Sequence, residues 1–148
     1  MASPNLPPEI VKRVQILQTE IEQLQVSINA IEQQISLMNR AMSSIDGSIF
    51  TQEELEGKKS GDEILVPIGG SNYVLCTVKD PENVYISLGS GISRQATLKE
   101  SIDRNKSQIS SLNSNLKQLR DQFNQFSQMV NSRRTELVKI AQDYQILG

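Results

Sequence analysis

The residue types that carry most enzymatic chemistry are thin in this chain. It has no histidine, so the side chain that most often serves as general base or metal ligand near neutral pH is missing. Its single cysteine, Cys76, lies in an apolar run without an activating neighbour, which predicts a small buried hydrophobe rather than a nucleophile. One cysteine also excludes an internal disulfide framework. Gly69-Gly70 and Gly89-Ser90-Gly91 lack the Lys-Ser/Thr ending of a phosphate-binding loop, and each joins two strand-like runs rather than a strand and a helix. They read as hairpin turns. The acidic pairs Glu20 with Glu22 and Glu53 with Glu54 read as solvated helix faces. No catalytic, metal or nucleotide constellation is expected, and no cofactor; the chain is not expected to be an enzyme. What remains is the chemistry of apolar surface.

Two long stretches hold that surface. Apolar residues recur in alternating steps of three and four at Ile10, Val14, Leu17, Ile21, Leu24, Ile28, Ile31, Ile35, Met38, Met42, Ile45 and Ile49. The rhythm returns at Leu98, Ile102, Ile109, Leu112, Leu116, Leu119, Phe123, Phe126, Val130, Leu137, Ile140, Tyr144 and Leu147. Both are heptad seams of a coiled coil. Composition agrees: with 4% aromatic residues and no tryptophan there is little to fill a wide core, whereas a seam between two helices needs far less bulk. A net charge of −2 argues against general nucleic-acid binding, which draws on basic surface. No apolar run is long enough to span a bilayer, and Met1–Pro8 lacks the pattern of a secretory signal. A cytoplasmic protein away from the membrane is expected.

The chain divides into a flexible tail at residues 1–7, a coiled-coil helix at 8–50, a linker with room for a short helix at 51–62, two β-hairpins at 63–95, and a second coiled-coil helix at 96–148. Asn5 or Ser3 is placed to cap the first helix, and Pro7-Pro8 suits its first turn. Gly47 is either a stop or a weak point inside a longer helix, and Thr51-Gln52-Glu53-Glu54 has the spacing of a capping box. Strands are predicted at Ile64–Ile68, Tyr73–Val78, Val84–Leu88 and Ile92–Gln95. Pro67 cannot donate to a ladder and marks an edge or a bulge. Tyr73 and Leu75 point to one face while Val74, Cys76 and Val78 point to the other. Two hairpins cannot cover both of their own faces. The segment is therefore expected to complete itself with strands from other chains, as an assembly module.

If the helices pair antiparallel, Pro8 and Leu147 meet far from the strands. Off-seam residues are mostly polar along the middle, yet near this free end they become apolar: Leu6, Val11 and Ile16 on one helix, Val138, Ala141 and Ile146 on the other. Together with the end-of-seam residues Ile10, Val14, Leu137, Ile140, Tyr144 and Leu147 they form a candidate contact site. The alternative is that they pack on a partner subunit or simply tighten the end of the coil. Two seam positions are polar: Asn105, and Arg133, which either fixes register or reaches outward to water.

Glu63-Ile64-Leu65-Val66-Pro67-Ile68-Gly69-Gly70 and Val84-Tyr85-Ile86-Ser87-Leu88-Gly89-Ser90-Gly91-Ile92 resemble the two signature elements of the prefoldin α subunit family. Two hairpins rather than one mark the α class. The resemblance implies a mainly α fold, a long antiparallel two-helix coiled coil whose two β-hairpins complete a β-barrel with other subunits. It implies an assembly of two α with four prefoldin β subunits, formed through Ile64, Val66, Ile68, Tyr73, Leu75, Val78, Val84, Ile86 and Leu88. It further implies an ATP-independent chaperone that holds unfolded client polypeptide at the coil ends and delivers it to a group II chaperonin. A structural tether that oligomerises through its strands is the main rival. A nucleic-acid-binding arm is a weaker one, because lysine and arginine are dispersed rather than striped.

Overall fold

Seam positions spaced by three and four place one apolar stripe along each helix, and in the computed structural model, which describes residues 5–145, that stripe is the least exposed face of both. The elements run α1 (Pro8–Glu56), β1 (Glu63–Gly69), β2 (Asn72–Thr77), β3 (Asn83–Gly89), β4 (Ile92–Thr97) and α2 (Leu98–Asp143). Two compact units emerge, one from the chain up to Asn39 with the chain from Ser114 on, the other from Arg40–Asn113.

In the first unit α1 starts as the paired prolines predict. The Pro7 carbonyl accepts from the backbone N–H groups of Ile10 and Val11 at 2.9 and 3.1 Å, and Pro8 occupies the first helical position, where a missing N–H costs nothing. Leu17, Ile28 and Ile31 of α1 are buried, as are Leu116 and Val130 of α2. Each such side chain contributes roughly 1.5–3 kcal/mol relative to exposure. The helices run antiparallel within the one chain: Arg13 meets Glu136, and Glu20, further along α1, meets Arg133, further back along α2.

In the second unit α1 passes straight through Gly47 and ends at Glu56. The Thr51 hydroxyl donates to the Gly47 carbonyl at 3.1 Å, so Thr51 lies inside a helix and does not cap a new one. Seam packing explains the continuation. Ile45, Ile49, Gln52 and Leu55 are all half-buried and carry the three-four rhythm across the glycine. The Gln52 amide donates to Ser101 Oγ at 2.7 Å, while Asn105 donates to Gln52 Oε1 at 3.0 Å and to Ser48 Oγ at 3.4 Å. This polar layer ties the end of α1 to the start of α2 and outweighs the ~1 kcal/mol propensity penalty of one glycine.

The strands form two separate antiparallel hairpins, β1–β2 and β3–β4. Landmarks of the second lie twenty residues after those of the first: Glu63 pairs Thr77 and Asn83 pairs Thr97, with bulges between Pro67 and Gly69 and between Ser87 and Gly89. Both turns place positive φ at their two central residues, Gly70 and Ser71 in one and Ser90 and Gly91 in the other. That is the turn whose twist matches the flanking strands. Even the exits correspond: Val78 N–H donates to the Asp62 carbonyl, and Leu98 N–H donates to the Glu82 carbonyl, both at 2.7 Å. Thr97 Oγ1 then accepts from the Glu100 N–H at 3.1 Å and caps α2.

Candidate functional site

Two surfaces expose apolar side chains beyond what a self-contained fold needs, one in each unit. In the second unit, cross-strand pairing sorts the hairpin residues by face. Ile64 pairs Cys76 and Val66 pairs Val74 on one side of β1–β2, while Leu65 pairs Leu75 and Pro67 pairs Tyr73 on the other. Of the nominated assembly residues, Val78 and Ile86 are buried, Ile64, Val66 and Val84 are half-buried, and Ile68, Tyr73, Leu75 and Leu88 are exposed. Cys76 is free and half-buried, beside rather than within the core.

The hairpins are not equivalent in what covers them. Around β3–β4, Ile86, Ala96, Leu98 and Ile102 are all buried, and Arg94 pairs with Glu100 at the start of α2. This ion pair holds the Glu100 carboxyl below its usual range and the Arg94 guanidinium above its own, the mutual hydrogen bond being the leading cause in both. The outer face of β3–β4 pairs Tyr85 with Gln95 and Ser87 with Ser93, a largely polar surface. The corresponding face of β1–β2 is apolar, with Leu65 64% and Leu75 59% exposed. Leu65, Tyr85 and Ile92 are exposed apolar residues that the sequence reading did not nominate. Following the pleat from Leu75 across to its partner Leu65 would have found the first.

The second surface is the end of the coil in the first unit. Val11 and Ile16 are each 40% exposed and Val138 is 50% exposed; Tyr144 is exposed as well. Ile10, Val14, Leu137, Ile140 and Ala141 are half-buried. Ile146 and Leu147 lie outside the described residues. Further in, Leu17 is fully buried and Val130 is at 4%, while Ile21, Leu24 and Phe126 are half-buried like the end-of-seam residues. The nominated residues thus fall into an exposed flank and a half-covered seam at the same end.

Charge frames this end. Arg13 Nε and Nη2 donate to the two carboxylate oxygens of Glu136 at 2.7 and 2.8 Å, a bidentate pair across the helices. Arg133 Nε donates to Glu20 Oε2 at 2.7 Å. Arg133 therefore neither sits idle in the seam nor points to water; it reaches the facing helix. Glu20 is likewise partnered rather than simply solvated, and Glu53 in the other unit pairs with Lys106 at 3.2 Å. The hydrogen bonds from Arg13 lower the Glu136 carboxyl below its ordinary range, with the charges of Arg13 and Arg133 adding to the effect. Among the described residues no group of histidine, cysteine, aspartate or glutamate side chains is placed to hold a metal ion.

Known proteins are similar to this chain in sequence along most of its length. The Prefoldin subunit family model matches residues 17–143. Prefoldin subunit alpha from Methanosarcina mazei is 28% identical over 138 residues, covering 89% of this chain and 95% of the relative. Prefoldin subunit alpha from Methanopyrus kandleri is 32% identical over 110 residues, covering 70% and 66% respectively. A cryo-electron-microscopy structure of filamentous PFD from Methanocaldococcus jannaschii matches with a TM-score of 0.48 at 20% identity, covering 84% of this chain and 98% of that one. A family match across both helices and both hairpins, with α subunits as the similar relatives, settles the affiliation: the chain belongs to the prefoldin family of chaperone subunits.

Proposed function

We propose that the chain is the α-type subunit of a cytoplasmic hetero-oligomer, two α with four β subunits, which holds unfolded polypeptide at its coil ends without ATP and passes it to a group II chaperonin. Assembly falls to the hairpins, where the β1–β2 face bearing Leu65, Tyr73 and Leu75 has no cover among the described residues. Client holding falls to the coil end. The observation that carries this reading is the clustered exposure of Val11, Ile16, Val138 and Tyr144 at the end of the coil, beside the half-buried Ile10, Val14, Leu137 and Ile140. Such a patch is small, so each contact with a client is weak once ordering costs are met. Several coil ends on one body raise the effective concentration and turn weak contacts into retention.

The test is suppression of aggregation of a denatured protein, followed by light scattering, by the chain assembled with a β-type subunit. Replacing Val11, Ile16, Val138 and Tyr144 together by serine is expected to weaken suppression by about tenfold in the concentration required, the equivalent of roughly 1.4 kcal/mol of contact, while the sedimentation of the assembly stays the same. Undiminished suppression rejects the coil end as the holding surface. An intact assembly that never suppresses aggregation instead identifies a structural tether.

A further inference from the structure

We propose that the four-charge lattice of Arg13, Glu20, Arg133 and Glu136 is a clasp that limits how far the coil end opens, and so sets how much apolar surface a client can reach. The inference rests on the coil end being the holding surface and concerns how that surface is regulated. Two interhelix bonds define the clasp: the bidentate Arg13–Glu136 pair and the Glu20–Arg133 pair. They are linked along each helix, because Arg13 also feels Glu20 and Glu136 also feels Arg133, so signs alternate around the lattice. Position gives it meaning. Leu17, between Arg13 and Glu20, is sealed, as is Val130 on the inward side of Arg133; Val14 and Leu137, adjacent in sequence to Arg13 and Glu136, and Ile10 and Ile140 toward the free end are half covered.

The apolar surface around the clasp is therefore of two kinds. Val11, Ile16 and Val138 are available whether or not the helices part, whereas Ile10, Val14, Leu137 and Ile140 gain exposure only when they separate. Ion pairs whose members are 29–44% exposed are weak and screened, a fitting strength for a catch that yields to a client. An apolar pair at the same places would seal the end.

Charge reversal tests the clasp in the full chain assembled with a β-type subunit. Glu136→Arg sets a cation against Arg13 and Arg133. It is expected to speed amide hydrogen exchange at residues 8–16 and 134–144 by roughly threefold or more, and to lower the concentration needed for half-suppression of aggregation. Adding Arg13→Glu restores an opposite-charge pair and is expected to bring both readouts back toward the parent. Faster exchange with unchanged or weaker suppression overturns the clasp as a regulator of holding. Unchanged exchange overturns it as a restraint, and failure of the second substitution to reverse the effect removes the pair as its cause. The serine variant of Val11, Ile16, Val138 and Tyr144 separates the two readings: if it loses holding while Glu136→Arg alters nothing, the clasp fails and the coil end stands.

Discussion

Single residues decide several local outcomes, and Gly47 is the clearest. It lies within α1 with nothing among the described residues near the position a Cβ would take, and its φ is not in the left-handed region. Its backbone freedom is thus a cost without a compensating contact. Gly47→Ala is expected to raise unfolding free energy by about 0.5–1 kcal/mol in denaturant titrations; no gain or a loss would mean that the helix needs to bend there. Two carboxylates give the residue scale its pH dependence. Glu136 is lowered by Arg13, and Asp80 is lowered first by the Asn83 side-chain amide and then by the Glu82 N–H. A carboxyl whose native value is depressed adds stability above its unfolded value, and that stability is lost as pH falls through the native one. Amide protection at the coil end and around residues 80–83 is therefore expected to drop below about pH 4, the ordinary carboxylate range. Protection that persists unchanged to much lower pH would show that neither group contributes.

At the scale of elements, the Thr-x-x-Glu spacing occurs both at Thr51–Glu54 and at Thr97–Glu100, and only the second is a cap. Local pattern alone favours neither. Context separates them: Thr97 ends a strand, while Thr51 interrupts nothing, because half-buried residues continue on both sides of it. The two seams, the four strands and their glycine turns were legible in the sequence because each is written in a short period. The polar layer of Ser48, Gln52, Ser101 and Asn105 was not, since its members lie about fifty residues apart and carry no period. Nor was the difference in cover between the hairpins, which depends on what packs against each. That difference yields a prediction. Leu65→Ser with Leu75→Ser changes residues exposed in the single chain, so helical circular dichroism is expected to be retained while sedimentation with a β-type subunit shifts to smaller species. An unaltered assembly would mean that this face is not the joint.

For the whole molecule, each unit carries its own means of fixing helix register, charged in one and amide-hydroxyl in the other. Uniform apolar seams tolerate a slip of one heptad, and a polar residue that finds a single partner resists it. Arg133 and Asn105, which break the apolar pattern, are the residues that make these bonds. The candidate contact sites were only partly visible from sequence. Clustering of Val11, Ile16 and Val138 at one end follows from an antiparallel pairing, but the bonds that confine that end come from Glu20 and Glu136, which read as ordinary surface in a linear scan.

The hairpins match at an interval of twenty residues in register, bulge and exit bond, Val78 with Asp62 and Leu98 with Glu82, though the entry bond from Gly61 N–H to Val78 has no counterpart at Pro81. Joining Gly61 to Glu82 would deliver the chain to the second ribbon with the same backbone bond waiting at its exit. A chain shortened in this way is expected to keep both helices, since the retained ribbon is the one whose Ile86 and Ala96 are buried along with Leu98 and Ile102. Loss of helical circular dichroism would show that the first ribbon is needed for them.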